Sequence, residues 1–201
     1  MIRHQERAPG QWIVTIDRPE KANSLTPEML ETLCNIVEKI QKAQSVILTG
    51  TGAVFSAGAD LEAARKGLGV SPLWERLSAG VAAVQGLTIA ALNGTLAGGA
   101  MGMALACDLR IAVPDARLFY PVMRLGFLPQ PSDPGRLVAL VGPARAKLIL
   151  MGGQRITAQE ALWFGLIDRI VDGDVVDAAL MLTTDVMAAE TTHVAAIKRM
   201  I

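Results

Sequence analysis

Residues 45–60 (SVILTGTGAVFSAGAD) and residues 88–102 (TIAALNGTLAGGAMG) decide the fold of this chain, because each runs from an apolar strand into a glycine cluster. The apolar parts, residues 45–49 and 88–92, have the length and composition of buried strands. A helix of small residues is expected to begin in the second cluster and to end near Cys107. The pattern predicts an α/β protein in which both glycine clusters lie between a strand and a helix.

The flanking sequence continues this alternation. Residues 12–17 predict a strand that ends before Pro19, and Thr26 followed by Pro27 predicts a helix that runs to about residue 42. The other predicted elements are helices over about residues 73–85, over 143–151 and from a capping box at 157–160, strands over 109–113 and 167–171, and one or two helices from about 174. No linker, low-complexity tract or evident repeat interrupts the chain, which predicts a single domain.

The composition excludes several classes of protein. Nineteen basic and nineteen acidic residues give a formal net charge of zero, so no overall field attracts nucleic acid or an anionic membrane. Hydrophobic residues make up 51% of the 201 residues, which excludes disorder and leaves apolar surface for a homo-oligomer. Cys34 and Cys107 lack metal-type spacing, and no Ser-His-Asp set is apparent. Two lone thiols and an N-terminus without an apolar signal core predict a cytoplasmic protein.

Residues 77–107 carry no charge, which on hydropathy alone would allow a membrane span. Gln85, Asn93 and several glycines divide this stretch into pieces of strand and helix length. The division favours a buried α/β interior, and no membrane partner is expected.

The two glycine clusters allow two interpretations. In the first, glycine between a strand and a helix lets backbone N–H groups approach a ligand. These groups then bind an anion, or two of them converge on one oxygen and form an oxyanion hole. The alternative is close packing of the backbone, which the spacing alone favours, because a glycine pair near a strand end is common. Neither the dinucleotide motif nor the phosphate-loop motif is present.

Several segments, in order along nearly the whole chain, resemble the crotonase superfamily, the enoyl-CoA hydratase/isomerase family. They are DRPEKANSL at residues 17–25, FSAGADL at 55–61, AALNG at 90–94 with Gly98 and Gly99, ACDLRIA at 106–112, LGFLP at 125–129, LMGG at 150–153 and AQEALWFGLID at 158–168. The resemblance implies a spiral of ββα units that assembles as trimers or hexamers and acts on a coenzyme A thioester without a permanent cofactor or metal. The division expected is a core over about residues 1–172 and a shortened helical region over about 173–201.

The resemblance also implies site residues. The backbone N–H groups of Ala59 and Gly99 correspond to the oxyanion hole. Lys21 and Ala22 correspond to the adenine pocket, with Asp60 and Leu61 beside the same channel. Arg18, Lys21, Arg65 and Lys66 are candidates for the CoA phosphates, although a basic residue in such a position is more often a solvated surface charge.

The chain departs from the family pattern at its acid and base. The two positions that hold glutamate in the family's hydratases are Gly102 and Val122 here, and a third position that holds aspartate in some members is Gln130. None of these side chains transfers a proton. Asp133 is the candidate replacement, although an aspartate before Pro134 is more typical of a helix N-cap, and this is the role that its sequence position favours. Glu62 and Tyr120 are further candidate proton carriers.

These observations predict a protein that binds an acyl-CoA and stabilises its enolate. An isomerase-like or decarboxylase-like lyase reaction is expected in preference to efficient hydration. The alternative is a member of the fold that binds acyl-CoA, or serves as a scaffold, without catalysis. A carboxylate of Asp133 or Glu62 near the two oxyanion donors would favour the enzyme.

Overall fold

The computed structural model describes residues 1–201 and contains two sheets. The larger sheet has the strand order β1-β2-β3-β5-β7-β10, and the smaller sheet has the order β4-β6-β8-β9. The ten strands are β1 (Ile2–Ala8), β2 (Gln11–Ile16), β3 (Ser45–Gly50), β4 (Val54–Ser56), β5 (Leu87–Leu92), β6 (Thr95–Ala97), β7 (Leu109–Ala112), β8 (Arg117–Phe119), β9 (Ile156–Thr157) and β10 (Arg169–Ile170). Only β1 and β9 pair antiparallel to their neighbours.

The chain forms a spiral, because successive strand pairs feed both sheets. β3, β5 and β7 enter the larger sheet, and the strand that follows each of them, β4, β6 or β8, enters the smaller one. The helices between these turns cover the sheets. They are α1 (Pro27–Lys39), α2 (Leu61–Arg65), α3 (Leu73–Ala82), α4 (Met101–Leu105), α5 (Val122–Leu125), α6 (Asp133–Leu150), α7 (Ala158–Phe164), α8 (Val175–Leu182), α9 (Thr184–Ala188) and α10 (Thr191–Lys198). The expected α/β spiral is confirmed, and its repeat exists in the structure although none is evident in the sequence.

Both faces of the larger sheet are buried at its central strands β3, β5 and β7, which explains why these strands are continuously apolar. On one face, Ile47, Ile89 and Ile111 pack against Val175 and Ala179 of α8. The alternate residues of the same strands join the main core with α1, α3 and α4. The helical C-terminal region is therefore part of the packing of the sheet.

Several helix boundaries follow from local chemistry. The Thr26 hydroxyl accepts a hydrogen bond from the Met29 N–H at the start of α1, and the capping box of Thr157 and Glu160 starts α7. α6 is two helices joined at Gly142, whose φ of 77° and ψ of 166° are not helical. The predicted helix over residues 143–151 is the second of these.

Two sequence-based expectations are wrong, those for the small-residue helix and for Asp133, whereas the expected division of residues 77–107 is confirmed. The small-residue helix of the second glycine cluster is shorter than predicted, because residues 95–97 pair as β6 before α4 begins at Met101. The uncharged residues 77–107 are divided among α3, β5, β6 and α4, and no helix has both the length and the apolarity needed to cross a membrane. Asp133 is not a capping residue, because its side chain turns inward and caps no N–H group.

Candidate active site

The two glycine clusters meet at the ends of the neighbouring parallel strands β4 and β6. Gly58 and Gly98 both have positive φ, 89° and 60°. A Cβ atom on Gly58 would lie 2.8 Å from the Ala97 carbonyl oxygen and 3.3 Å from the Gly99 nitrogen. Only glycine permits this approach of two backbones, so close packing is one role of the clusters.

The packing leaves two backbone N–H groups free. The segment around Ala59 pairs with Leu25: the Leu25 N–H donates to the Gly58 carbonyl, and the Asp60 N–H donates to the Leu25 carbonyl. Because backbone N–H groups alternate in direction along such a segment, the N–H of Ala59 points away from Leu25. Gly99 lies in the first turn of a short 3-10 helix over residues 98–100, where N–H groups have no intrahelical acceptor. Neither group donates a hydrogen bond within the chain.

Ala59 and Gly99 line the same cavity of about 310 Å³. Twelve of its eighteen lining residues are hydrophobic. The Trp74 indole forms one wall, and a Cβ atom on Gly99 would lie 2.9 Å from its ring carbons. Leu61 and Leu128, 77% and 86% exposed, stand at its mouth. The cavity therefore offers two hydrogen-bond donors within an apolar enclosure, which suits an oxygen that develops negative charge.

Tyr120 and Asp133 form a buried pair behind this cavity. Tyr120 lines the cavity, and its hydroxyl donates to Asp133 Oδ2 at 2.8 Å. Asp133 is only 1% exposed, and its Oδ1 atom has no hydrogen-bond partner. Burial raises the pKa of the Asp133 carboxyl to about 6, against the lowering effect of the Tyr120 hydrogen bond. The pKa of Tyr120 is raised as well. Burial is the largest cause, and the neighbouring charge of Asp133 is the second.

The carboxylate of Asp133 lies where a side chain at residue 102 would begin. A Cβ atom on Gly102 would be 2.8 Å from Asp133 Oδ1 and 3.1 Å from Oδ2. The other two family acid-base positions, Val122 and Gln130, face the cavity but carry no ionisable group. The structure thus places one carboxylate beside the empty first glutamate position and none at the other two.

Glu62 is not brought to the two donors. It lines a separate, larger groove of about 690 Å³ together with Asp60, Lys66 and Glu28. The structure therefore joins Tyr120 and Asp133 to the cavity and leaves Glu62 outside it.

The candidate CoA residues are divided between structural and exposed positions. Arg18 donates to Asp60 Oδ2 at 2.9 Å and to the Ser24 carbonyl at 3.1 Å. This hydrogen bond from Arg18 is the main cause that lowers the pKa of Asp60, which also caps α2. The Ala22 carbonyl accepts the Ala57 N–H at 3.0 Å and so joins the two segments. Lys21, Arg65 and Lys66 are exposed, and none of the three forms an ion pair.

Other reactive groups lie apart from the cavity. Both cysteines are buried and unpaired, and burial raises the pKa of Cys107 to about 12, which disfavours its thiolate. His4 and His193 are exposed. No three histidine, cysteine, aspartate or glutamate side chains converge as a metal site requires. Trp74 is one of the cavity residues that the sequence did not single out, because its position on the apolar face of α3 is typical of a core residue.

The chain is similar in sequence to proteins of one family. The family model described as enoyl-CoA hydratase/isomerase matches residues 7–201. YngF of Bacillus subtilis, named for that family, is 40% identical over 167 residues, which are 79% of this chain and 64% of YngF. The chain thus spans less than two thirds of YngF. The protein of Mycobacterium leprae named as the enoyl-CoA hydratase echA6 is 33% identical over 94% of this chain and 76% of that protein.

Solved structures show the same fold. The structure of Pseudomonas aeruginosa DspI matches with a TM-score of 0.90 and 30% identity, over 98% of this chain and 84% of DspI. An enoyl-CoA hydratase from Bacillus anthracis matches with a TM-score of 0.89 and 32% identity, over 98% and 81% of the two chains. The chain belongs to the enoyl-CoA hydratase/isomerase family of the crotonase superfamily.

Proposed function

Given this family membership, we propose that the protein binds an acyl-CoA thioester and holds its carbonyl oxygen between the N–H groups of Ala59 and Gly99. The observation that carries the proposal is that Ala59 and Gly99, whose N–H groups have no acceptor within the chain, line one mostly apolar cavity. Hydrogen bonds from fixed backbone groups stabilise an enolate oxygen more than the neutral carbonyl, because the negative charge develops there. Coenzyme A is then part of the substrate, and no permanent cofactor or metal is involved.

The reaction proposed is isomerisation or decarboxylation in preference to hydration. Addition of water to a double bond needs groups that take a proton from the water and deliver one to carbon. Gly102 and Val122 supply neither, although Val122 faces the cavity. Isomerisation needs only one group that removes a proton from carbon and returns it, and loss of carbon dioxide forms the enolate without a base. Both reactions therefore need fewer acid-base groups than hydration does.

The CoA portion is proposed to cross the segment where Ala22 and Leu61 lie, with Lys21 near its phosphates. The Arg18–Asp60 ion pair fixes the loop that carries Ala59, since Asp60 is the next residue. These two residues would therefore support the CoA channel by shaping it.

The protein is also proposed to assemble as a homo-oligomer, a trimer or a hexamer. Large apolar side chains remain on the surface of the chain, including Trp163 at 73% exposure and Met181 at 77%. Light scattering after size exclusion measures the mass directly, and a monomer at micromolar concentration would refute the assembly.

A chromophoric thioester tests the oxyanion site. The absorbance of 4-dimethylaminocinnamoyl-CoA should shift to longer wavelength on binding, because polarisation of the carbonyl extends charge transfer along the chromophore. Calorimetric titration gives the affinity of the same ligand, of free CoA and of a thioether analogue without the carbonyl. Tight binding of the thioester with the shift supports the proposal.

A pair of variants provides the control. Gly99→Ala places a methyl group against Trp74 and should displace the N–H and reduce the shift, whereas Gly135→Ala meets nothing within 4 Å and should not. Binding of thioester and thioether with equal affinity and no shift would refute the oxyanion assignment. Binding with the shift but without turnover of any enoyl or carboxylated acyl-CoA would favour the binding or scaffold role.

A further inference from the structure

We propose that Tyr120 and Asp133 are the proton-transfer couple of this site, with the Tyr120 hydroxyl in contact with the acyl chain and Asp133 behind it as the proton acceptor. The inference rests on the proposed acyl-CoA function and assigns the acid-base role that the family's glutamate positions leave vacant. It also narrows the substrate to an acyl-CoA from which a proton is removed next to the thioester.

The position of the hydroxyl supports this role. Tyr120 and Gln130 both line the cavity, and the Tyr120 hydroxyl lies between Asp133 Oδ2 at 2.8 Å and the Gln130 backbone N–H at 3.5 Å. It donates to the first and accepts from the second. A phenol held in this way can pass its own proton to the carboxylate as it accepts another, so no free phenolate forms, in keeping with its raised pKa.

The surroundings of Asp133 keep it able to take a proton. The groups that face it are Tyr120, Arg136 on the same helix and Glu75 on α3. Arg136 favours the carboxylate, whereas burial and Glu75 favour the neutral acid. These opposing effects leave the pKa of Asp133 at about 6, within the range where a group exchanges protons at neutral pH.

A further feature distinguishes this pair from an ordinary buried hydrogen bond. Asp133 Oδ1 is buried and has no hydrogen-bond partner within the chain, as is also true of Nη1 of the nearby Arg136, so this oxygen remains able to accept a proton. It faces the Cα atom of Gly102, so the missing side chain on α4 provides the space that the carboxylate occupies.

The proton step balances without a co-reactant. Tyr120 Oη takes the α-proton of the bound acyl chain as its own proton passes to Asp133 Oδ2. The electron pair of the broken C–H bond becomes the enolate, whose oxygen lies between the N–H groups of Ala59 and Gly99. Return of the proton from Asp133 through Tyr120 to the γ-carbon completes the shift of the double bond, and both side chains regain their starting states.

The test uses 3-hexenoyl-CoA, whose conversion to 2-hexenoyl-CoA is followed by absorbance and by deuterium uptake from D₂O. Tyr120→Phe and Asp133→Asn preserve shape, and each should lower the rate by about 10²- to 10⁴-fold. The dissociation constant for acyl-CoA and the chromophore shift should change less than about twofold, since neither variant removes an oxyanion donor.

A matched control and a pH profile separate catalysis from structure. Asp108→Asn removes a carboxylate that also accepts from a hydroxyl, that of Thr88, and it does not line the cavity. It should keep the wild-type rate. The wild-type rate should rise with pH through about 6 as Asp133 ionises, and Asp133→Asn should lose this rise.

The outcomes distinguish the two proposals. If the wild type neither binds the thioester nor shifts the chromophore, the acyl-CoA function itself fails. Binding with the shift, together with full activity of Tyr120→Phe or Asp133→Asn, would overturn the couple alone. Binding with the shift but no isomerisation and no deuterium uptake by the wild type would also overturn it.

Discussion

Gly102→Ala and Asp133→Ala should be strongly coupled in their effects on stability. The new Cβ atom would lie 2.8 Å from Asp133 Oδ1, closer than van der Waals contact. The carboxylate has little freedom to retreat, because Asp133 is 1% exposed and Tyr120 holds its other oxygen. The methyl group and the carboxylate therefore compete for one space.

The magnitude follows from two opposing effects. Overpacking in a well-packed core costs about 1–3 kcal/mol, whereas alanine is about 1 kcal/mol better than glycine inside a helix. Gly102→Ala should thus reduce the free energy of unfolding by up to about 2 kcal/mol in the wild-type background. In the Asp133→Ala background the clash disappears, and the same change should raise it by up to about 1 kcal/mol.

Urea denaturation of the four proteins at one pH gives the coupling energy as a double-mutant cycle. The expected value is about 1–3 kcal/mol, with similar m-values throughout. Gly135→Ala in the same two backgrounds is the control, because its Cβ meets nothing within 4 Å and its coupling should stay below about 0.5 kcal/mol. A Gly102 coupling as small as the control would refute the shared space and the position of Asp133.

Three further outcomes are expected. Asp133 has a folded-state pKa raised from 3.8 to about 6, so its contribution to stability is present below pH 4 and is lost as pH rises through 6. The free energy of unfolding of the wild type should fall by up to about 3 kcal/mol over this window relative to that of Asp133→Asn, and parallel urea titrations would contradict the burial. Thr157→Ala removes the N-cap of α7 and should cost about 1 kcal/mol in a urea titration, while Thr157→Ser should cost little. Asn23 is fully buried, and its side chain makes three hydrogen bonds to backbone groups. Asn23→Ala should therefore reduce the free energy of unfolding by at least about 2 kcal/mol and lower the thermal midpoint. An unchanged midpoint would contradict this network.

The parts of the fold that the sequence predicts are those with a strong local signal. The start of α1 follows from Thr26 and Pro27, and the parallel strands of the larger sheet appear as short apolar runs because both faces are buried. The start of α7 follows from its capping box. In each case neighbouring residues determine the structure, so one window of sequence is enough.

The missed elements depend on distant partners. β1 is an edge strand whose side chains are mostly exposed, and its charged residues give no apolar alternation. β4, β6 and β8 have three residues each, too few for a period of two to be recognised. Their conformation is determined by pairing with one another across the smaller sheet.

The backbone groups of the candidate site were easier to predict from the sequence than its acid-base side chains. The proposed oxyanion donors are backbone groups, so their position follows from the spiral and from the glycines that allow it, and the family resemblance identifies Ala59 and Gly99 in advance. Acid and base groups are side chains, and a side chain can reach one point in space from several elements. Asp133 begins on α6 and still places its carboxylate beside Cα of Gly102 on α4. Sequence position alone favoured a helix cap for Asp133. The space that Gly102 leaves and the Tyr120 hydroxyl that donates to Asp133 come from other parts of the chain, so the local sequence does not reveal them. Membership of this family therefore constrains how the thioester oxygen would be held much more than it constrains where the protons go.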